Sequence, residues 1–435
     1  MTASDTRIRS LQARRIWDSR GRPTLEAEIT LANGSTGRGI APAGASRGSR
    51  EAIELRDGGS RLGGLDVTRA VAGVQGEIAR HLSGHDALDQ SAIDAALIAL
   101  DGTPDKSRLG GNALVAVSLA VLHAGAASRR LPLWRHLAGE AAVTLPMPEI
   151  QIFGGGAHAG RRVDVQDFMV MPVGATSFAQ AMEMTAEVYA AAGALMQAAG
   201  RRQGVADEGG WWPVFATNEE ALEKLVTAIG HAGLHAGRDM ALSLDIAASE
   251  FGAGGRYRLG LEARELDTAG MIDLLGSWID AYPIASIEDP LAEDDEAGLV
   301  EFTRRFGTRL QIIGDDYLVT DAARIGAAAA LPACNCALIK FNQAGTVSET
   351  LAAMQAARRA GWATVVSARS GETEDVTIAH LAIGWNAGQL KVGSFARSER
   401  MAKWNECLRI EETLGAGARF AGLPAPLAHW SLAHD

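Results

Sequence analysis

The sequence predicts an α/β protein in which a small N-terminal α+β domain precedes a TIM-like α/β barrel. Three observations predict it. Between Asp245 and Lys391, apolar runs end in a charged residue five times: ALSLD at Asp245, IASIE at Glu288, LQIIGD at Asp315, ALIK at Lys340 and GQLK at Lys391. Their separations are 43, 27, 25 and 51 residues, and WATVVS closes on Ser367 and Arg369 inside the last gap, so the beat is close to 25 residues. That is one buried strand plus one covering helix, the unit of a parallel sheet. Finally, the first 140 residues lack this beat and read as strands followed by helices.

Taken in order, Thr24 to Leu31 (TLEAEITL) alternates apolar and polar residues, the pattern of a half-exposed antiparallel strand. Asn33-Gly34 marks a hairpin turn, and the next strand runs to about Ile40. The stretch APAGASRGSREAIELRD is rich in Gly, Ala and Ser and suits a mobile loop. Helical patterns follow at roughly 67–83, 90–100 and 110–128. Residues 1–140 are therefore read as the α+β domain and 141–435 as the barrel, with Thr144–Met147 (TLPM) leading in. The barrel opens with PMPEIQIFGGGAHAGRRVDVQDFMVMP. Its three glycines ahead of His158 read as a flexible loop carrying an imidazole, which could be structural or catalytic. Asp167 precedes the apolar strand FMVMP. In VADEGGWWP, Glu208 is expected at a strand end, placed to act as a carboxylic acid.

Composition narrows the function. With 435 residues and 47% hydrophobic content, the chain can bury a large core. A net charge of −11 argues against nucleic acid or an anionic membrane surface as partner. There is no run of 18 apolar residues, and MTASDTRIRS lacks the apolar segment of a signal peptide. Cys334, Cys336 and Cys407 form neither a CxxC pair nor an even set, so no disulfide framework or zinc site is expected. The expected location is cytoplasmic.

Polar residues at the C-terminal ends of barrel strands point into the barrel mouth. One such residue could be a solvated strand-end charge; five in rhythm point to an active site. Three neighbouring carboxylates raise one another's pKa unless a cation sits among them. Oxygen-only ligands suit a hard ion, and Mg²⁺ keeps positions open for substrate oxygens. Lys340 and Lys391 add positive charge, so the substrate should be an anion. A lysine crowded by another cation and a metal is a base near neutral pH. Beside a metal that holds a carboxylate, such a base can remove the proton α to that carboxylate.

The motifs WDSRGRPTLEAEI, GAS, ASEF, SIED, GDD, LIKFNQ, SGETED, RSER and LRIEE, in this order, resemble those of enolases over essentially the whole chain. The resemblance implies an N-terminal α+β capping domain on an enolase-type barrel whose first strands depart from plain βα alternation. It implies Asp245, Glu288 and Asp315 as Mg²⁺ ligands, with Ser46 of the first loop helping to hold a second ion. It further implies Lys340 as the base that takes the C2 proton of 2-phosphoglycerate, and Glu208 as the acid that assists loss of the C3 hydroxyl. Lys391 would face the substrate carboxylate, and Arg369 with Ser370 the phosphate. His158 and Asp167 are expected beside the substrate. Glu26 and Arg409 match a pair that bridges the enolase dimer.

The sequence also departs from that pattern. Ala368 stands where enolases carry histidine, and Asp167 where they carry glutamate. Ala43 and Arg47 replace a serine and a threonine in the first loop, with Arg50 nearby; Gly160, Arg161 and Arg162 replace acidic or amide residues. Lost side-chain volume and added arginines, with Arg47 and Arg162 facing the substrate, suggest a larger or more highly charged anion. The leading expectation is accordingly a relative of the carboxyphosphonoenolpyruvate synthases of phosphonate antibiotic pathways, acting on a phosphorylated or phosphonylated three-carbon acid. The alternatives are phosphopyruvate hydratase and a non-catalytic binding protein of the same fold.

Overall fold

The computed structural model describes residues 5–428 and Trp430. The alternation in TLEAEITL buries Leu25, Ala27, Ile29 and Leu31 on one face. Strand β2 (Pro23–Leu31) pairs antiparallel with β3 (Thr36–Ile40) across the Asn33-Gly34 hairpin, and with β1 (Ile8–Trp17) on its other edge. The helix Gly111–Ser128 lies on this sheet. It is apolar nearly all round, as a helix covered on every side should be. Gly37 lets it come close: a Cβ there would sit 2.1 Å from the backbone nitrogen of Ala124. This helix has the length and hydropathy of a membrane span, but 83% of it is buried inside the fold.

The barrel closes from eight strands: β4 (Met147–Gly154), β5 (Asp167–Met171), β6 (Ala241–Asp245) and, after a small sheet of β7 (Gly252–Ala253), β8 (Arg256–Leu259) and β9 (Arg264–Asp267), the strands β10 (Ile284–Glu288), β11 (Gln311–Gly314), β12 (Cys336–Ile339), β13 (Ala363–Ser367) and β14 (Gly388–Ser394). The small sheet explains why the gap from Asp245 to Glu288 exceeds the beat. Strand β5 runs antiparallel to both β4 and β6; the other neighbours are parallel. A parallel partner needs a long crossover, usually a helix. Between β4 and β5 there is only a short loop with one 3₁₀ turn, Gly156–Ala159, so β5 must return antiparallel.

Register sets the charged strand ends at one level: Glu288 and Asp167 each lie opposite Asp245, and Ser367 lies opposite Lys391. Below them, Glu149, Ser243, Gln311 and Gln389 form a buried, mutually hydrogen-bonded layer. The opposite end is sealed by Met147, Met171, Ala241, Ala285, Leu427 and Trp430. The N-terminal sheet and helices pack closely on the barrel, with Lys106 paired to Glu349 at 2.9 Å and the Ser348 amide donating to Asp94 at 2.8 Å.

Candidate active site

Five charged residues of the strand-end rhythm converge as buried ion pairs. The Lys391 ammonium lies 2.8 Å from both Asp245 and Glu288, and 3.5 Å from Asp167. Lys340 pairs with Asp315, whose other oxygen accepts from Gln343 at 2.8 Å. Burial, then the charge of Asp245, holds Glu288 well above the usual carboxylate range, with Lys391 pulling the other way. Burial alone would lower Lys340, but the charges of Asp315 and Glu288 outweigh it and hold Lys340 above its ordinary value. Its nearest charged neighbour here is a carboxylate, Asp315; the expected lowering belongs to a lysine beside a bound metal. Asp289, directly after Glu288, has a positive φ of 41°. Its carboxylate accepts from the amides of Asp315 and Asp316 at 2.8 Å each, tying the end of β10 to that of β11.

Loops supply the rest. His158 sits on the turn after β4, its Nδ1 3.0 Å from Asp167 and its Nε2 3.6 Å from Glu208. Burial would lower its pKa, but Glu208 and then Asp167 push it up to about 9. The glycines before it serve packing more than flexibility: a Cβ at Gly155 would meet the Val165 carbonyl oxygen at 2.2 Å. Glu208 is not at a strand end as expected; it lies in the turn-rich segment between the helices Phe178–Ala198 and Asn218–His231. Gly209, Gly210 and a stacked Tyr189–Trp211 pair hold that segment against the barrel, which the short apolar stretch VA cannot announce.

The first loop, 41–57, has no helix or strand and is fastened over the mouth. The Ala45 amide donates to Ser370 Oγ at 2.6 Å, and Arg369 donates to the Ser46 carbonyl at 2.9 Å and to both carboxylate oxygens of Glu51. Glu51 and Gln343 border the site; Gln343 closes the motif LIKFNQ, but the sequence assigns a role to neither.

The cavity enclosed by Ser46, His158, Asp167, Glu208, Asp245, Lys340, Ala368, Arg369, Ser370 and Lys391 measures only about 20 Å³. That is room for about one water. The volume expected from Ala368 and Asp167 is therefore not present as open space. Arg47 and Arg162 do not line the cavity either. Arg47 is half exposed and approaches Glu54 at 3.9 Å, and Arg162 is exposed. Arg161 pairs with Glu250 at the surface. Arginine stems on such loops keep their charged heads in water. Glu26 is held within the chain by Arg14, and Arg409 by Glu406 at 2.7 Å.

Does this site suit a divalent cation? Asp245, Glu288 and Asp315 offer oxygen only, as a hard ion requires. Glu288 Oε1 and Gln166 Oε1 are buried without a hydrogen-bond partner, and Gln166 also donates to Asp245 at 3.1 Å. Carboxylates repel, and here two ammonium groups supply the neutralising charge. The donor set fits. Among the described residues, the tighter acidic groupings are His158 with Asp167 and Glu208, and Asp289 with Asp315 and Asp316, each within 4.8 Å.

Comparison with known proteins decides the family. The enolase N-terminal domain model matches residues 8–137, and the enolase C-terminal TIM barrel domain model matches residues 142–427. The chain belongs to the enolase family. It is 49% identical over 417 residues, 95% of each chain, to "Enolase 1" of Desulfitobacterium hafniense (strain Y51). It is thus an enzyme of the enolase superfamily, which sets aside the non-catalytic alternative. The likeness to an enolase along almost the whole chain also overturns the leading expectation of a carboxyphosphonoenolpyruvate synthase. Arg47 and Arg162 lie away from the cavity lining, which removes one of its physical grounds.

Proposed function

We propose that this chain is a phosphopyruvate hydratase, converting 2-phosphoglycerate to phosphoenolpyruvate and water with bound Mg²⁺. The observation that carries the reading is that Lys340 and Glu208, suited to opposite proton transfers, border one small cavity walled by further charged groups. The 49% identity to an enolase supports it. Mg²⁺ would be held by Asp245, Glu288 and Asp315, with Ser46 serving a second ion. When bound, the ion supplies positive charge to the substrate carboxylate and makes the C2 proton more acidic.

Lys340 accepts the C2 proton. It becomes a better base when the charge of Asp315 is engaged elsewhere, as it would be in a metal ligand. Lys391 orients the carboxylate, and Arg369 with Ser370 holds the phosphate. Glu208 protonates the departing C3 hydroxyl, which leaves as water. His158, gripped by Asp167, keeps Glu208 in place. The same reading carries a cytoplasmic location and a homodimer in which Glu26 and Arg409 meet across the interface. The test is ³¹P NMR of the purified chain with Mg²⁺ and 2-phosphoglycerate. Growth of the phosphoenolpyruvate resonance is expected; a spectrum that stays unchanged over many enzyme equivalents would overturn the reading.

A further inference from the structure

Arg400 lies in the first turn of the helix Ser398–Leu414, and its side chain is fully buried. Its partners are mainly carbonyl oxygens. Nη1 donates to Arg369 at 2.6 Å and to Val392 at 2.8 Å, and Nη2 donates to Ser370 at 2.5 Å. Carboxylates approach less closely, Glu399 at 3.5 Å and Glu208 at 4.0 Å, and Nε has no hydrogen-bond partner. Burying a guanidinium with so little direct neutralisation is costly. What it gathers is specific: the backbone of residues 369 and 370 after β13, and the residue after Lys391 in β14. A planar fork of fixed donors can hold three carbonyls in one arrangement, which a single ammonium cannot.

We infer that Arg400 is a positioning residue for the substrate phosphate, fixing the backbone that carries Arg369 and Ser370 without touching the substrate. This rests on the reading of those two residues as the phosphate site. A purely structural residue, fastening the helix to the barrel, would instead weaken all ligands alike.

The test uses the full chain with Mg²⁺, comparing native, Arg400→Lys and Arg400→Met proteins. Calorimetry gives affinities for 2-phosphoglycerate and for glycerate, which lacks the phosphate; circular dichroism and thermal unfolding report the fold. Arg400→Lys keeps the charge but loses the fork. It is expected to lose roughly tenfold in affinity for 2-phosphoglycerate, the scale of one hydrogen bond. Its glycerate affinity should change by less than about twofold, a margin well under one hydrogen bond. Equal losses for the two ligands, or no loss for either, overturn the inference. So does a Lys variant that fails to fold, since the role would then be structural; Arg400→Met misfolding alone leaves the Lys variant to decide. A native chain that binds 2-phosphoglycerate no better than glycerate sinks the phosphate-site reading itself, and the inference with it.

Discussion

Asp245, Glu288, Asp315, Lys340 and Lys391 stand on or directly after barrel strands, whereas Ser46, His158 and Glu208 are carried by loops. The first group is fixed twice, by sheet register and by mutual ion pairs. The second is held by bonds that loops make to the barrel, such as Ala45 to Ser370 and Tyr189 to Gly209. Sites built on strands hold tighter geometry than sites built on loops. The strand-end floor should therefore set what chemistry occurs, and the loops should set access and proton delivery. Each experiment below can sharpen or break that division.

The largest effect is expected at the floor. Lys340→Met should lower kcat by about 10²–10⁴, the range for a proton-transfer group. Steady-state turnover of 2-phosphoglycerate measures it, and a loss under about tenfold would remove Lys340 from the role of base.

His158 gives a pH signature on the loop side. Its folded pKa of about 9 exceeds the ordinary 6.5, so its protonated form stabilises the fold. That contribution is fully present below the ordinary value and fades as pH rises through the folded one. Its upper size is about 3 kcal/mol. In metal-free denaturant unfolding, the stability gap between native and His158→Gln should shrink between about pH 6 and pH 10. A gap that stays constant would mean the imidazole is neutral throughout.

Glu288→Gln keeps the shape and removes one floor charge. Mg²⁺ affinity by calorimetry should fall at least about 10–100-fold, the loss typical even of outer partners of a metal. Unchanged affinity would place the ion elsewhere. The smallest effect belongs to the loop arginines. Arg47→Ala and Arg162→Ala should alter KM by less than about fivefold, since exposed ion pairs contribute roughly 0–1 kcal/mol. A larger change would bring them back to the site.

The same division governs what the sequence discloses. Strands β10 to β13 end on or directly before the residues of the chemical beat, so their ends are legible. Strand β14 does not stop at Lys391 as expected but runs on to Ser394, because the apolar and small residues Val392 and Gly393 continue it. The hairpin of β2 and β3 is announced by Asn33-Gly34. Strand β1, IRSLQARRIW, is not announced by its sequence, because its charged and polar residues break a clean alternation. Glu208 was legible as a carboxylate but not in its setting, because loop geometry depends on what packs against it. Glu51, Gln343, Asp289 and Arg400 act through tertiary contacts between segments up to hundreds of residues apart, as Glu51 does with Arg369. Asp289 had a local clue, a second acid directly after Glu288. The side-chain volume that Ala368 and Asp167 give up is not present as open space: the cavity they line measures about 20 Å³.

Exchange of the C2 hydrogen of 2-phosphoglycerate with deuterated solvent, followed by NMR, tests the central claim most directly. The floor carries the base and a loop carries the acid, so the two proton transfers should be separable. Glu208→Gln should still exchange C2 hydrogen while making little phosphoenolpyruvate, and Lys340→Met should do neither. Persistent exchange in Lys340→Met, or its loss to the same extent in Glu208→Gln, would contradict the assignment of base to the strand end and acid to the loop.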